Sequence, residues 1–353
     1  MAKEKYFPIH KQKSLVEVTF QAAGVSHEEA TRIADNLIEA DLYGHSSHGI
    51  TLVPTYIDDL EHGRAISDQK AMIVTDQGPM IGLNGCKGFG QSIGIEAMDL
   101  GIERAQKHGV SIVGLANTHH LGRIGHWGER CARAGFASIH FVNVIASPKV
   151  APWGGTDARL VTNPFCVTVP HQPYPIVLDY ATSSIAFGKL RVAYEAEKQL
   201  APGLLLDGQG KPTTDPAVMF EDPVGALLPF GEHKGYALAF MCELLGGALS
   251  GGMVQDHAPI DNPLINNMFS IIFDPYKLTS KEKFDKQVAN LMDWLKASPP
   301  MKEDQPVKFP GDPEQTTRTK RSEEGIPLAP GSLQALLDCA ENVGIENPGE
   351  MLQ

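Results

Sequence analysis

The sequence predicts an α/β protein in which a central α/β domain is flanked by a helical domain built from both chain ends. Apolar residues recur at three- and four-residue spacing from about residue 10 to 63, which indicates packed helices. From residue 71, short apolar runs typical of strands alternate with helical patterns, and helical patterns alone return after residue 280. Because neither helical end buries its apolar face alone, we expect the two ends to pack together. The predicted domains are 1–70, 71–280 and 281–353, and the last returns to the first.

The connection between the second and third predicted helices is polar and carries titratable groups. Ser26 and Glu29 form the S-x-x-E pattern of a helix start, and Gly44 fits the left-handed position after the helix end. The next helical pattern ends at Gly63, so the run from His45 through Ser46 and Ser47 to His48 falls between two helices. Such a connection is a rigid platform for chemistry, and a polar turn without function is the alternative interpretation.

The remaining elements follow from the same periodicities. Apolar runs predict strands at 71–75, 80–83, 110–116, 137–144, 176–180 and 269–273. Helical spacing predicts helices at 91–108, 125–134, 234–249, 281–296 and 332–343. The stretch 298–312 is rich in proline and charge, so we expect a loop that crosses between the last two helices.

Composition excludes several classes of partner. The net charge of −12 disfavours nucleic acid and anionic membrane surfaces as partners. Five widely spaced cysteines without a C-x-x-C pair give neither a disulfide framework nor a cysteine zinc site, which fits a reducing compartment. The N-terminal residues lack the apolar core of a signal peptide, and glycines and Glu243 interrupt the longest apolar run. We therefore expect a cytoplasmic protein that does not bind membranes.

A glycine-rich stretch precedes the helix at 91–108 but does not match a dinucleotide fingerprint. Gly88, Gly90 and Gly94 give the spacing G-x-G-x-x-x-G, whereas the fingerprint is G-x-G-x-x-G. The next strand leads into Asn117, with no acid there to hold a ribose hydroxyl. We interpret the stretch as a tight turn before a helix, and a Rossmann site is not predicted here.

Polar side chains follow two of the predicted strands. His119 and His120 come directly after the strand at 110–116, with Arg123 close behind. Two adjacent histidines cannot easily face one metal ion, and no carboxylate follows at helical spacing, so no metal site is predicted. We expect His119 to be a packing residue, and His120 and Arg123 to be functional. Asp179 ends the apolar strand at 176–180, where it could orient a histidine, hold a ribose hydroxyl or simply close a turn.

A further candidate site lies at the start of the helix at 234–249. Glu232, His233 and Lys234 precede or open that helix. Backbone N–H groups at a helix start, together with a lysine, suit an anion such as pyrophosphate.

Motifs spread over nearly the whole chain resemble one family. They are Ser47-His48-Gly49, Asn117-Thr-His-His-Leu-Gly122, Ala151-Pro-Trp-Gly-Gly155, Thr162-Asn-Pro-Phe165, Leu178-Asp-Tyr-Ala-Thr182, Phe187-Gly-Lys189, Glu232-His-Lys-Gly-Tyr-Ala-Leu238 and Glu324-Gly-Ile-Pro327. Together they resemble the type-2 malate/L-lactate dehydrogenase family, and most closely its hydroxycarboxylate dehydrogenase subgroup. The resemblance implies a non-Rossmann, NAD(P)-binding central α/β domain. It also implies a homodimer with its sites near the subunit interface.

The resemblance also carries residue roles. His48 matches the acid/base histidine of the family, and His120 matches a histidine that acts in catalysis in some members. We predict three catalytic residues, which are His48, His120 and Asp179. The residues predicted to contact the cofactor are His48, Gly122, Arg123, Ile124, Leu178, Asp179, Tyr180, Ala181, Thr182, His233, Lys234, Asn266 and the turn of Gly311, Asp312, Pro313 and Glu314.

Two departures from the family pattern bear on the substrate. Many members have an arginine where this chain has Leu52, and many have a small residue where it has Arg123. A 2-oxo acid needs a cation for its carboxylate, because a buried unpaired carboxylate is costly. The exchange indicates either that the anion site has moved to Arg123 or that Arg123 serves the cofactor. Leu52 makes the predicted pocket less polar, which favours bulky or apolar substrates over malate.

The sequence therefore predicts an oxidoreductase that interconverts 2-oxo acids and 2-hydroxycarboxylates with NAD, and NADP remains an open alternative. An imidazole that titrates near neutral pH, such as that of His48, suits proton transfer in both directions. The first alternative function is reduction of cyclic 2-imino acids. The second is ligand binding by a homologue that has lost catalysis.

Overall fold

The structure is a computed structural model that describes residues 4–195, 197–257, 259, 261 and 263–353. The helices are α1 Ile9–Ala22, α2 His27–Leu42, α3 Val53–Glu61, α4 Gly90–His108, α5 Gly125–Arg133, α6 Phe187–Glu195, α7 His233–Met241, α8 Lys281–Lys296, α9 Asp312–Glu324 and α10 Pro330–Asn342. The strands are β1 Lys5–Phe7, β2 Met72–Gln77, β3 Met80–Asn84, β4 Val110–His119, β5 Ala137–Ile145, β6 Phe165–Val169, β7 Ile176–Tyr180, β8 Leu205–Leu206, β9 Pro212–Thr213, β10 Ala226–Leu227, β11 Ile265–Phe273 and β12 Ile326–Leu328.

The central sheet has seven strands in the order β2-β3-β4-β11-β5-β6-β7. β3 and β4 run parallel and are joined by α4, whereas the other neighbouring pairs of this sheet are antiparallel. A doubly wound dinucleotide-binding fold would instead have a mostly parallel sheet. The predicted α/β class without a Rossmann domain is therefore confirmed.

A second core is formed by helices from both ends of the chain. Buried apolar residues of α1, α2 and α3 pack against Ile326, Leu336 and Leu352 near the C-terminus. The buried amide of Gln12 donates to the carbonyls of Phe7 and Ile326, and so fastens the pairing of β1 with β12. The domain boundaries at residues 70 and 280 remain predictions.

The start of α2 differs in detail from the predicted reciprocal capping pattern. Ser26 Oγ accepts the N–H of Glu29 at 3.3 Å, as predicted. The Glu29 carboxylate, however, accepts the N–H of Asp68 instead of returning to Ser26. Asp68 also accepts the Ser26 N–H, at 3.1 Å, so a distant loop residue replaces half of the local pattern. At the other end, Gly44 adopts φ +87°, as its position predicts.

Several elements were not predicted from apolar periodicity, including α6, α9 and β6. Residues 311–314 do not form an isolated turn, because Gly311 with φ +98° caps the start of α9. No residue of α9 is buried, so its polar sequence has no apolar face to reveal it. α6 and β6 were also missed, and the predicted helix at 234–249 consists of α7 followed by a π-helix, Cys242–Leu249. No helix among the described residues is long and apolar enough to cross a bilayer.

Candidate active site

The connection between α2 and α3 consists of two short 3-10 turns, Ser46–His48 and Ile50–Leu52. The buried carboxylate of Asp41, at the end of α2, anchors them by accepting the N–H of Ile50 at 2.8 Å. Gly49 lies directly against this carboxylate, and a Cβ at Gly49 would stand 2.1 Å from Asp41 Oδ2. Only glycine fits at position 49, so the close approach of the connection to α2 fixes where His48 lies.

The imidazole rings of His48 and His120 are stacked, with centroids 5.5 Å apart and an interplanar angle of 25°. Burial, with smaller contributions from the charges of His45 and Arg123, lowers the pKa of His48 to about 4. Burial also holds the pKa of His120 well below its ordinary value, with smaller contributions from His48 and His119. Both rings are therefore neutral at pH 7. The structure thus brings together the two histidines predicted to be catalytic.

Each of these rings has one nitrogen fixed by a neighbouring hydroxyl. His48 Nδ1 lies 3.0 Å from Ser47 Oγ, and His120 Nδ1 lies 2.7 Å from the hydroxyl of Tyr56 in α3. Gln91 Nε2 in turn donates to the Tyr56 oxygen at 3.2 Å. The remaining ring nitrogens, Nε2 of each histidine, are the ones left to face a ligand.

His119 is a packing residue, in agreement with the sequence-based expectation. It is fully buried, and its Nε2 lies 2.9 Å from Asp59 Oδ2. Its ring packs edge-on against Tyr56 and Phe89. Tyr56 and Asp59 are three residues apart on one face of α3, so the helix holds His120 with one side chain and His119 with the other.

A cleft next to the histidine pair collects several of the predicted cofactor residues. Its lining residues are Tyr43, His45, Arg123, Glu129, Val177, Asp179, Gly311, Glu314 and Gln315. His45 belongs to the same connection as His48, and its Nε2 lies 3.7 Å from Glu314 Oε1. The connection therefore borders both the histidine pair and the cleft.

Arg123 is buried in the wall of this cleft. Its guanidinium lies over the ring of Tyr43, 4.2 Å from the centroid, and its Nη2 lies 2.9 Å from Glu129 Oε1. Arg123 is only 4% exposed, and its Nε has no hydrogen-bond partner among the described residues. The charge of Arg123 is thus already balanced by Glu129, while part of its hydrogen-bonding capacity is unused.

Asp179 lies in the same cleft but does not orient a catalytic histidine. Its Oδ2 accepts the N–H of Gly125 at 2.7 Å, at the start of α5. Nδ1 of His48 is bonded to Ser47, and Nδ1 of His120 is bonded to Tyr56. The interpretation that Asp179 orients a histidine is therefore wrong for these two rings. Burial raises the pKa of Asp179, and the neighbouring Arg123 opposes this rise.

Other predicted site residues have their polar groups engaged within the chain. Asn266 Oδ1 accepts the N–H of Leu121 at 2.8 Å, and its amide points to backbone carbonyls. Thr182 Oγ1 donates to the carbonyls of Thr162 and Asn163. Both residues support neighbouring backbone, and their predicted contacts with a cofactor remain predictions.

The remaining predicted residues differ in how far they are exposed. Leu52 packs against the helical core and is only partly exposed, so part of its side chain belongs to that core. His233 and Lys234 are exposed at the start of α7, and the His233 ring lies 5.6 Å from that of Trp153. Gly122 and Ile124 are buried on either side of Arg123 in the chain. Leu178, Tyr180, Ala181 and Asp312 are partly exposed, and Pro313 is exposed. No cluster of metal-ligating side chains occurs in the part of the chain that the structure describes.

Several residues around the histidine pair and in the cleft are not predicted from the sequence, including Tyr43, Tyr56, Gln91, Glu129 and Gln315. Tyr43 and Tyr56 were seen only as part of a helix end and an apolar helix face, and Glu129 as part of an ordinary helix. Gln91 was assigned only to the turn and helix start after Gly90. The spacing of Tyr56 and Asp59 was a signal in the sequence, because it places an acid beside the apolar face of a predicted helix, where a carboxylate needs a partner.

Comparison with known proteins relates the chain to dehydrogenases of hydroxy acids. A family model described as malate/L-lactate dehydrogenase matches residues 7–337. Hydroxycarboxylate dehydrogenase B of Escherichia coli (strain K12) is 47% identical over 344 residues, covering 96% of this chain and 94% of that protein.

Solved structures agree with this relationship. A putative malate/lactate dehydrogenase from E. coli superimposes with a TM-score of 0.95 at 45% identity, covering 98% of each chain. A delta1-piperideine-2-carboxylate reductase from Pseudomonas syringae superimposes with a TM-score of 0.82 at 27% identity, covering 95% of this chain and 99% of the other.

Proposed function

The chain belongs to the malate/L-lactate dehydrogenase family, and on that premise we propose that it interconverts 2-oxo acids and 2-hydroxycarboxylates with a nicotinamide cofactor. The stacked pair of His48 and His120 is the observation that carries the proposal. Two neutral imidazoles beside a cleft can donate to, and take a proton from, a single substrate oxygen. The names of the hydroxycarboxylate dehydrogenase and of the malate/lactate dehydrogenase reported above both state oxidoreduction of hydroxy acids, and the cofactor and residue roles are our inference.

The groups that line the cleft suit part of a nicotinamide dinucleotide. Asp179 and Glu314 are acceptors for hydroxyl groups, and they lie beside a guanidinium that Glu129 already neutralises. Carboxylates of this kind accept the hydroxyls of a ribose and repel a 2′-phosphate. We therefore propose that the chain uses NAD in preference to NADP, with Arg123, Asp179 and the start of α9 holding the cofactor. When bound, the cofactor supplies the hydride for reduction and takes it back in oxidation.

His48 is proposed as the acid and base of the reaction. In reduction the carbonyl carbon gains a hydride and its oxygen gains a proton, and His48 Nε2 is the proposed proton donor. In oxidation the same nitrogen takes the proton from the hydroxyl. Because the ring is neutral in the free protein, it is ready for the oxidation direction. An anionic substrate bound nearby would raise its pKa and so favour protonation for reduction.

Bulky or apolar 2-oxo acids are the proposed substrates. Leu52 replaces a residue that is an arginine in many members, and it packs against apolar residues of the helical core. Leu52 therefore supplies no positive charge that could bind a second carboxylate of the substrate.

We also propose a cytoplasmic homodimer with its sites near the subunit interface. Large apolar side chains are exposed along α7 and the π-helix that follows it, including Phe240, Leu244 and Leu249. Contiguous exposed apolar residues of this kind indicate a surface that another protein covers. The five cysteines are free thiols, which supports a reducing compartment.

A substrate and cofactor panel tests the proposal directly. Oxidation of NADH and NADPH is followed by absorbance with pyruvate, phenylpyruvate and oxaloacetate as 2-oxo acids. We expect turnover with NADH, with phenylpyruvate preferred over oxaloacetate. Absence of turnover with every 2-oxo acid and both cofactors would contradict the proposal and favour a binding protein without catalysis.

Reduction of a cyclic 2-imino acid is the second candidate function. It is favoured by the structural similarity to a piperideine-2-carboxylate reductase. Piperideine-2-carboxylate and pyrroline-2-carboxylate therefore belong in the same panel. A kcat/KM for either that exceeds those of all the 2-oxo acids would replace the first proposal with this one.

A further inference from the structure

Tyr56, Gln91 and His120 form a buried hydrogen-bonded chain that ends at the site. Gln91 Nε2 lies 3.2 Å from the Tyr56 oxygen, and that oxygen lies 2.7 Å from His120 Nδ1. Tyr56 is completely buried and Gln91 is 1% exposed. Water therefore does not compete for these bonds, so the direction of each one follows from the donors and acceptors present.

The first bond has a defined direction because of a second contact of Gln91. Its Nε2 also lies 3.3 Å from the backbone carbonyl of His120, which can only accept. A flipped amide would turn its oxygen towards that carbonyl and lose the bond, so the NH₂ group faces this way. Gln91 accordingly donates to the Tyr56 oxygen.

The second bond then follows by exclusion. The described residues place no other acceptor within hydrogen-bonding distance of the Tyr56 hydroxyl, so its proton must go to His120 Nδ1. If His120 carried a proton on Nδ1, the buried tyrosine oxygen would face two donors while its own proton had no acceptor. His120 Nδ1 is therefore an acceptor, and the proton of the neutral ring is on Nε2.

We propose that Tyr56 and Gln91 are positioning residues that hold His120 as a neutral Nε2–H donor towards the substrate oxygen, which leaves proton transfer to His48. The inference rests on the proposed function, because that function supplies the oxygen to which His120 donates. A fixed donor stabilises negative charge that develops on this oxygen without changing its own protonation state. The two stacked histidines thus have different roles despite their similar surroundings.

The groups around His120 favour its neutral form. His48 faces its ring from the α2–α3 connection, and His119 precedes it in the chain. Asp59 lies on the same helix as Tyr56 but is engaged by His119 and Arg64. No carboxylate among the described residues is hydrogen-bonded to the His120 ring. The free-energy cost of protonating this buried ring is therefore not offset by a paired negative charge.

The tautomer can be observed without any assay of activity. In protein labelled with ¹⁵N at histidine, the chemical shifts of the two ring nitrogens distinguish N–H from a bare nitrogen, and His120→Gln identifies the signals. We expect the full-length protein at pH 7 to show a bare Nδ1 and a protonated Nε2 for His120. Observation of a protonated Nδ1 would overturn the inference whether or not the protein reduces 2-oxo acids.

Two variants test the chain of bonds. Tyr56→Phe removes the donor to Nδ1, and the His120 signals should then report a mixture of tautomers. Gln91→Glu replaces the donor to tyrosine by an acceptor, so the Tyr56 proton should turn to Glu and His120 should gain a proton on Nδ1. Tyr276→Phe is the matched control, because Tyr276 lies on a distant 3-10 turn beside α8, and it should leave the signals unchanged.

Kinetic measurements distinguish a positioning role of Tyr56 from a purely structural one. Loss of a fixed donor lowers kcat by roughly 100-fold in well-studied sites, so we expect Tyr56→Phe to lower kcat by between about 10- and 100-fold. KM should change little, and a second ionisation should enter the pH profile of kcat/KM. A variant that only loses thermal stability, with unchanged ring signals and pH profile, would assign Tyr56 a purely structural role and overturn the proposal.

Discussion

The rings of His48 and His120 face each other with centroids 5.5 Å apart, one from a helix connection and one following a strand of the central sheet. The first is fixed by the packing of Gly49 on Asp41, and the second by Tyr56 of α3. Any change in how the helical core sits on the sheet would separate the two rings. The site is therefore as rigid as the contact between the two cores.

Replacement of His48 tests its role as acid and base. His48→Ala should keep the fold and lower kcat by roughly 100-fold or more, the usual contribution of general acid–base catalysis. Steady-state kinetics with the best 2-oxo acid measures the effect, and circular dichroism checks the fold. His10→Ala, which changes an exposed histidine in the first turn of α1, is the control and should keep the kcat of the wild type. Near-normal turnover of folded His48→Ala would refute the assignment.

Asp41 should make stability depend on pH. Burial raises the pKa of its carboxyl group to about 7, above the ordinary 3.8. Between these values the folded chain binds more protons than the unfolded chain, so the contribution of Asp41 to stability falls as pH rises from about 4 to 7. The loss is at most about 4 kcal/mol, since each pKa unit corresponds to about 1.4 kcal/mol.

The variant Asp41→Asn removes this titration but keeps an oxygen that can accept the N–H of Ile50. We expect urea unfolding to show a smaller loss of stability between pH 5 and pH 8 in the variant than in the wild type. Equal pH dependence of the two proteins would show that Asp41 does not titrate in this range.

Arg123 should serve the cofactor more than the substrate, because it lines the same cleft as Asp179, Gly311 and Glu314. Lysine reproduces neither the contact with the Tyr43 ring nor the planar geometry of the guanidinium beside Glu129. Arg123→Lys should raise the Kd for NADH, measured by fluorescence titration, and lower stability by about 1–3 kcal/mol. Arg130→Lys is the control, because Arg130 pairs with Asp99 near the surface, and it should leave the Kd for NADH unchanged. A higher KM for 2-oxo acids with unchanged Kd for NADH would assign Arg123 to the substrate carboxylate instead.

Asp179 should act on the ligand and contribute little to the stability of the fold. In Asp179→Asn the amide oxygen can still accept the N–H of Gly125, so the start of α5 is preserved. We expect Tm to stay within a few degrees of the wild type while the affinity for NADH or the turnover falls. Calorimetry and NADH titration measure the two effects. A large fall in Tm with normal kinetics would point to a structural role.

Leu52→Arg tests the origin of substrate preference. The variant restores a cation present in many members of the family, and a carboxylate pairs strongly with arginine. We expect kcat/KM to shift from phenylpyruvate towards oxaloacetate. Leu52→Met adds no charge at the same position and should keep the original preference. If Leu52→Arg folds and its selectivity equals that of the wild type, position 52 does not determine which substrate is bound.

The local elements were readable from the sequence wherever they bury an apolar face. α2 and α4 begin and end within about a residue of their predicted bounds, because apolar spacing and the glycines at their ends act over short distances. α9 escaped prediction because none of its residues is fully buried and it has no apolar face. β1 escaped because its partner β12 lies at the far end of the chain. Periodicity reports burial, so it misses elements that are polar or held by distant pairing.

By itself the sequence determined the α/β class, the family, and His48 and His120 as the residues to examine, since these depend on local patterns and motifs. The tertiary structure alone decided which side chains meet. It placed the Tyr56 hydroxyl on His120 and the Glu129 carboxylate on Arg123, and it paired Asp179 with the N–H of Gly125 instead of with His48 or His120. Hydrogen bonds and ion pairs require atoms within about 3 to 4 Å of each other. Such distances between remote residues are set by the packing of the helical core against the sheet, which no local pattern encodes.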